Sequence, residues 1–244
     1  MLAENGSEVH ADRMNVLIRT VRFRVKCHTE GPDGGTIAKG IMMARVPLTT
    51  EQVVSSRVVV NVENIVLTPE QFFRLCRDNP ELRLELTAQK ELIIMSPTDS
   101  RTGSQNMELS FQIQRWTIQD GGGIAFDSST GFLLPNGATR SPDASWIRRT
   151  RWDALAAEDQ QRFAPICPDF VVELRSPSDA IDDLETKMME YIANGAQLGL
   201  LIDCVQLQVV VYRPSAAPER FDNPRSISGD PVLPGFTLDL TKIW

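Results

Sequence analysis

The stretch P-D-F-V-V-E-L-R-S-P-S-D, residues 168–179, decides the fold. Phe170, Val171 and Val172 run without alternation, the pattern of a strand buried on both faces of an α/β sheet. Glu173 follows them directly. A buried carboxylate without a partner costs several kcal/mol. Glu173 therefore belongs either to an ion pair, with Arg175 or another cation, or to a functional site. It lies near the C-terminal end of its strand, where α/β sites usually form.

Beyond this strand, Ser178 is expected to cap a helix running to about Asn194, with Gly195 at its exit. Ile181, Leu184, Met188, Tyr191 and Ile192 share one apolar stripe of that helix. Lys187 falls on the shoulder of the stripe, about 240° from Ile181 at 100° per residue. From there its ammonium either points at a site on the sheet or snorkels to solvent. Upstream, A-T-R-S-P-D-A-S-W-I (138–147) leads into a strand bearing Asp143. Taken alone, an aspartate after proline reads as a turn or cap residue.

Taken together, the three residues imply chemistry. Two acids that meet across neighbouring strands suit a hard divalent cation, Mg²⁺ or Mn²⁺. A lysine beside them can stabilise the charge that builds up in phosphoryl transfer. The expectation is metal-dependent phosphodiester cleavage, with Asp143 and Glu173 as metal ligands, helped by the Leu174 carbonyl, and Lys187 as their catalytic partner.

The flanking sequence predicts a mixed sheet. T-P-E-Q-F-F-R-L-C (68–76) has a Thr cap, Pro at the first helical position and an acid in the first turn. L-R-L-E-L (82–86) and E-L-I-I-M (91–95) read as a hairpin, and S-P-T-D-S-R-T-G-S (96–104) as a loop. A helix is expected over about 104–119. It carries one stripe of Leu109, Ile113 and Trp116 and a second of Met107, Phe111 and Ile118, as in a helix buried between layers. Glu108, Gln112, Arg115 and Gln119 share a polar flank. Residues 124–135 suggest two short strands around a turn, 148–167 a partly helical excursion, and 198–203 with 206–212 a second hairpin. Short strands follow near 226–229 and in the C-terminal V-L-P-G-F-T-L-D-L. The fold class is α/β (α+β), a mixed β-sheet flanked by helices.

At 244 residues the chain suits one domain with an extension. Residues 1–56 show little periodicity apart from V-L-I-R-T-V-R-F-R-V-K (16–26), and are expected to form a poorly ordered extension ahead of a domain at 57–244. The four cysteines, Cys27, Cys76, Cys167 and Cys204, are scattered, and His10 and His28 lie in no zinc-like spacing with them. Reduced thiols in a cytoplasmic protein are expected, without structural zinc. The acidic N-terminus lacks the apolar core of a secretory signal. No run of about 18 apolar residues predicts a membrane span. The net charge is −7, with +1 on residues 1–56 and −8 on the remainder. That balance argues against generic nucleic-acid binding, which favours a basic footprint.

The motifs L-T-P-E-Q-F-F-R-L, L-R-L-E-L-T-A-Q-K-E-L-I-I-M-S-P-T, T-G-F-L-L-P-N-G-A-T-R-S-P-D-A-S-W-I, P-D-F-V-V-E-L-R-S-P-S-D and K-M-M-E-Y-I-A-N-G are spread over a span of about three quarters of the chain. Over residues 65–240 they resemble the Uma-two family of restriction-endonuclease-like, PD-(D/E)xK proteins. The resemblance implies a restriction-endonuclease-like core with Asp143, Glu173 and Lys187 at the active site. In that class a lysine stands two residues after the second acid. Here Arg175 holds that slot, and Lys187 on the next helix is its expected replacement. Glu108 and Arg175 are possible accessory residues, Glu108 as the helix acid some such nucleases use. Glu85 matches a further acidic position of the pattern with no role attached.

Two functions lead, ahead of a third, a metal-dependent hydrolase of RNA or small phosphoesters. The first is a Mg²⁺- or Mn²⁺-dependent endonuclease with DNA as substrate, and double-strand cleavage would favour a homodimer. The second is a catalytically inactive binding or assembly module that keeps the fold, which Arg175 and the acidic body favour.

Overall fold

The computed structural model describes residues 57–65 and 67–244. The extension expected at 1–56 lies outside the described residues, as do Cys27, His10 and His28.

Two sheets organise the chain. The first contains β1 (Arg57–Asn61), β2 (Arg83–Leu86), β3 (Glu91–Met95), β5 (Phe132–Leu133) and β6 (Thr139–Arg140), in the order β1-β3-β2-β6-β5. The second contains β4 (Gly123–Asp127), β7 (Ala144–Arg148), β8 (Phe170–Arg175), β9 (Leu198–Asp203), β10 (Gln208–Tyr212) and β11 (Glu219–Asp222), in the order β11-β10-β9-β8-β7-β4. Only β8 and β9 pair in parallel there, joined through helix α5 (Ile181–Ala193) as a β-α-β crossover. A small pair, β12 (Ser226–Ser228) and β13 (Thr237–Asp239), closes the tail. This is the mixed α+β architecture that the sequence predicts.

Alternation along β8 divides the core. Phe170, Val172 and Leu174 join the cluster under α2 (Ser100–Asp120) and the tail, with Leu109, Ile113 and Leu238. Val171 joins the opposite cluster under α5, with Met188 and Tyr191. Glu173 is therefore on the α5 face. A third cluster lies on the first sheet, where Leu84 and Leu86 pack with Phe72 of α1 (Pro69–Asp78). That helix opens with the expected cap: the Thr68 hydroxyl accepts from Gln71 N, and the Gln71 side chain accepts from Thr68 N.

Three expectations are corrected. The segment 96–104 is not all loop, because Asp99 accepts from the amides of Arg101 and Thr102 and starts α2 at Ser100. The two short strands expected around the turn at 128–131 are present as β4 and β5, and they join different sheets, β4 beside β7 and β5 beside β6. Ser178 caps no helix. Ser176 and Asp179 close a turn there, and α5 begins at Ile181 without a side-chain cap. Nor is α2 buried between layers. Met107, Phe111 and Ile118 are 71%, 52% and 72% exposed. The helix instead buries part of its polar side, where Gln105 donates to the Ile243 carbonyl and Gln112 pairs with both backbone groups of Asp239. The excursion at 148–167 holds two single-turn helices, α3 (Arg149–Trp152) and α4 (Ala157–Gln160). Among the described residues, no helix is long and apolar enough to cross a membrane.

Candidate active site

Register brings the two acids together. In the antiparallel pairing of β7 with β8, Ala144 stands opposite Val172. Asp143 immediately precedes β7, and its carboxylate lies close enough to Glu173 to repel it. The Leu174 amide fixes Asp143 by donating to its Oδ2 at 2.8 Å. Burial pushes the Asp143 carboxyl above its usual range, against the Leu174 hydrogen bond and the charges of Lys187 and Arg83.

Lys187 does not snorkel. Its side chain is 12% exposed, and its ammonium lies 2.9 Å from Glu173 Oε1 and 2.9 Å from Glu85 Oε1. The shoulder position on α5 thus aims the stem into the space between the two sheets. The Tyr191 hydroxyl, one turn along the helix, donates to Glu173 Oε1 at 3.0 Å. Burial, followed by repulsion from Asp143 and Glu85, pushes Glu173 up to about 8, even with Lys187 beside it. Burial alone would discharge Lys187, but Glu173 and Glu85 outweigh it and hold the amine charged.

Glu85 is the member whose role the sequence does not reveal. Leu84 and Leu86 face α1, so alternation sends Glu85 to the other side of the first sheet. There it accepts from Lys187, from Arg140 Nη1 at 3.1 Å and from the Ser141 amide at 2.9 Å. Burial raises its pKa, but Lys187 and Arg140 overcome that and hold it below the usual carboxylate range. Arg140 also donates to Glu190 Oε2 at 2.6 Å. The signal for this role was L-R-L-E-L itself, in which an acid stands between two leucines of a covered strand.

The two accessory candidates stand apart from this cluster. Glu108 accepts from Gln112 within α2. Arg175 pairs with Asp203 Oδ2 on β9 at 2.7 Å and donates to the Asp179 carbonyl. The lysine slot of the motif is therefore occupied by a structural ion pair, and Lys187 is the cation that reaches the acids. From α2 it is Asn106, not Glu108, that meets Asp143, its amide nitrogen 3.4 Å from Oδ1.

Charge bears on what the cluster can hold. Asp143, Glu173, Glu85 and Glu190 face Lys187 and Arg140, an excess of two negative charges when all are ionised. Adding Asp179 and Arg83, which also act on Asp143, leaves that excess unchanged. One divalent cation would balance it. Among the described residues no group of three or more His, Cys, Asp or Glu is arranged to enclose a metal ion. Two carboxylates nevertheless fit Mg²⁺, which keeps several waters and is typically held by one or two carboxylates with substrate phosphate.

The chain has informative relatives. A family model, Uma2, described as "Putative restriction endonuclease", matches residues 69–241. A crystal structure of "a putative nuclease belonging to DUF820" from Anabaena variabilis ATCC 29413 superposes with a TM-score of 0.60 at 21% identity. The match covers 72% of this chain and 96% of that one, and shows a shared fold. No curated protein matches.

Proposed function

The chain belongs to the Uma2 family, and we propose that it is a Mg²⁺- or Mn²⁺-dependent endonuclease that hydrolyses DNA phosphodiesters in the cytoplasm. The observation that carries this reading is the approach of Asp143, fixed by the Leu174 amide, to Glu173, with Lys187 in contact with Glu173. Asp143 and Glu173 would hold the cation. Bound there, it would polarise the phosphate and lower the pKa of a water. Tyr191 and Lys187 both contact Glu173 at Oε1, and Oε2 would serve that purpose. Leu174 N–H fixes the Asp143 rotamer, and Tyr191 fixes that of Glu173. Lys187, kept charged by two carboxylates, would bind a non-bridging phosphate oxygen and offset the charge that grows as water attacks phosphorus. The attacking water would give a proton to solvent, the P–O bond to the leaving nucleotide would break, and the leaving oxygen would take a proton from solvent. Cutting both strands needs two such sites, so this reading favours a homodimer.

The test is nicking of supercoiled plasmid with Mg²⁺ or Mn²⁺ by the wild type and by Asp143→Ala, Glu173→Ala and Lys187→Ala. Cleavage that depends on the metal and on all three residues supports the reading. Equal cleavage by all four proteins refutes it. The alternative, an inactive binding or assembly module, draws on the net charge of −8 outside residues 1–56. It takes precedence if calorimetry finds no Mg²⁺ or Mn²⁺ binding at millimolar concentration.

A further inference from the structure

Among the described residues, three buried side-chain atoms lack a hydrogen-bond partner: Asn106 Oδ1, Ser145 Oγ and Trp146 Nε1. Only Asn106 also touches a residue of the candidate site, through its amide nitrogen and Asp143 Oδ1. Buried polar atoms are nearly always satisfied, and one that is not calls for a specific partner such as a water or ion. The orientation of the amide is set by its neighbour. An ionised carboxylate only accepts hydrogen bonds, so the NH₂ end must face Asp143 and the carbonyl oxygen must face away from it. That oxygen is then a neutral acceptor beside the carboxylate, without a donor.

We propose that Asn106 is a positioning residue of the cation site: its NH₂ group holds Asp143, and its carbonyl oxygen accepts a hydrogen bond from a water carried by the bound divalent cation. This rests on the metal-dependent reading above. Mg²⁺ and Mn²⁺ retain waters that need acceptors, and a neutral amide supplies one without adding to an already negative cluster. The carboxylate face toward α5 is filled by Lys187 and Tyr191. Asn106 comes from α2, on the other side of the second sheet, and so reaches the hydration shell from a direction no other site residue supplies. Helix α2 is fixed for the task, because Gln105 and Gln112 bind the tail backbone on either side of Asn106 in sequence.

The test compares Mn²⁺ affinity by calorimetry with the melting temperature of the metal-free protein. Partners of metal-bound groups typically contribute about 10-fold to 100-fold in affinity. Asn106→Leu should weaken Mn²⁺ binding by about 10-fold. It should change the metal-free melting temperature little, since loss of the long hydrogen bond to Asp143 and relief of the orphaned carbonyl oppose each other. Asn106→Asp should lower the metal-free melting temperature, through repulsion from Asp143, and enlarge the rise on adding Mn²⁺. A purely structural asparagine gives the opposite pattern for Asn106→Leu, with lower metal-free stability and unchanged Mn²⁺ affinity, and that result overturns the inference. Should Asn106→Leu fail to fold, a Mn²⁺-induced rise in Asn106→Asp no larger than in the wild type overturns it too. A wild type that binds no Mn²⁺ at millimolar concentration overturns this inference and the metal-dependent reading together. Normal wild-type binding with unaltered variants overturns this inference alone.

Discussion

Glu85 holds the Lys187 ammonium at 2.9 Å, the same distance at which Lys187 meets Glu173. One lysine thus joins the two sheets, with a carboxylate from each as its partner. Glu85→Gln removes the charge that balances Lys187 and Arg140. Breaking a buried pair in this way should cost about 3 kcal/mol of stability. It should also lower cleavage by about 10-fold, as loss of a partner that orients a reacting group does. Urea denaturation and plasmid nicking measure the two effects. Full activity in a destabilised Glu85→Gln would show that Glu85 serves folding alone.

The metal-free protein should lose stability as pH rises. Folded Glu173 keeps its proton up to about 8, whereas an unperturbed glutamate loses it near 4.5. Between those values the unfolded chain binds fewer protons than the folded one, so unfolding becomes easier with rising pH. The melting temperature should fall across this window, and Glu173→Gln should flatten that fall. Mn²⁺ affinity should climb over the same window, because the ligand must shed its proton first. A Mn²⁺ affinity independent of pH would contradict the assignment of Glu173 as ligand.

Arg175 should separate stability from chemistry. Its pair with Asp203 is largely buried, at 16% and 3% side-chain exposure. Arg175→Ala should therefore cost about 3 kcal/mol and leave the cleavage rate per folded molecule unchanged. A folded Arg175→Ala without activity would return arginine to the site and demote Lys187.

The exposed side of α2 should tolerate polarity. Met107→Ser and Ile118→Ser should change stability by less than about 0.5 kcal/mol, as surface substitutions do. Leu109→Ala, fully buried on the same helix, should cost about 3 kcal/mol. Thermal melts of the three variants decide it. A large loss from Met107→Ser would mean that this side is covered in solution.

Some local signals were legible, although the equally local caps at Asp99 and Ser178 were misread. Thr68 and Gln71 are three residues apart, so the cap of α1 stands in the sequence. The phase of Lys187 on α5 is likewise a count along one helix. Pairings between distant segments were not legible: nothing in G-I-A-F-D or G-F-L-L says that β4 and β5 enter different sheets. The second stripe of α2 misled for a similar reason. Periodicity reports which side of a helix is apolar, but not whether a partner covers it. Glu85 was visible as an acid between leucines, yet its partners come from residues 140, 141 and 187. Asn106 had no signal, since an orphaned carbonyl exists only once the chain has closed around it.

The approach of Asp143 to Glu173 depends on the pairing of Ala144 with Val172. A slip of one residue in β7 would turn Asp143 to the other face of the sheet. No partly assembled version of the two-acid arrangement exists between the two registers. Specific activity in a preparation should then count molecules rather than grade them: each is either fully competent or inert, and a weak preparation is a mixture.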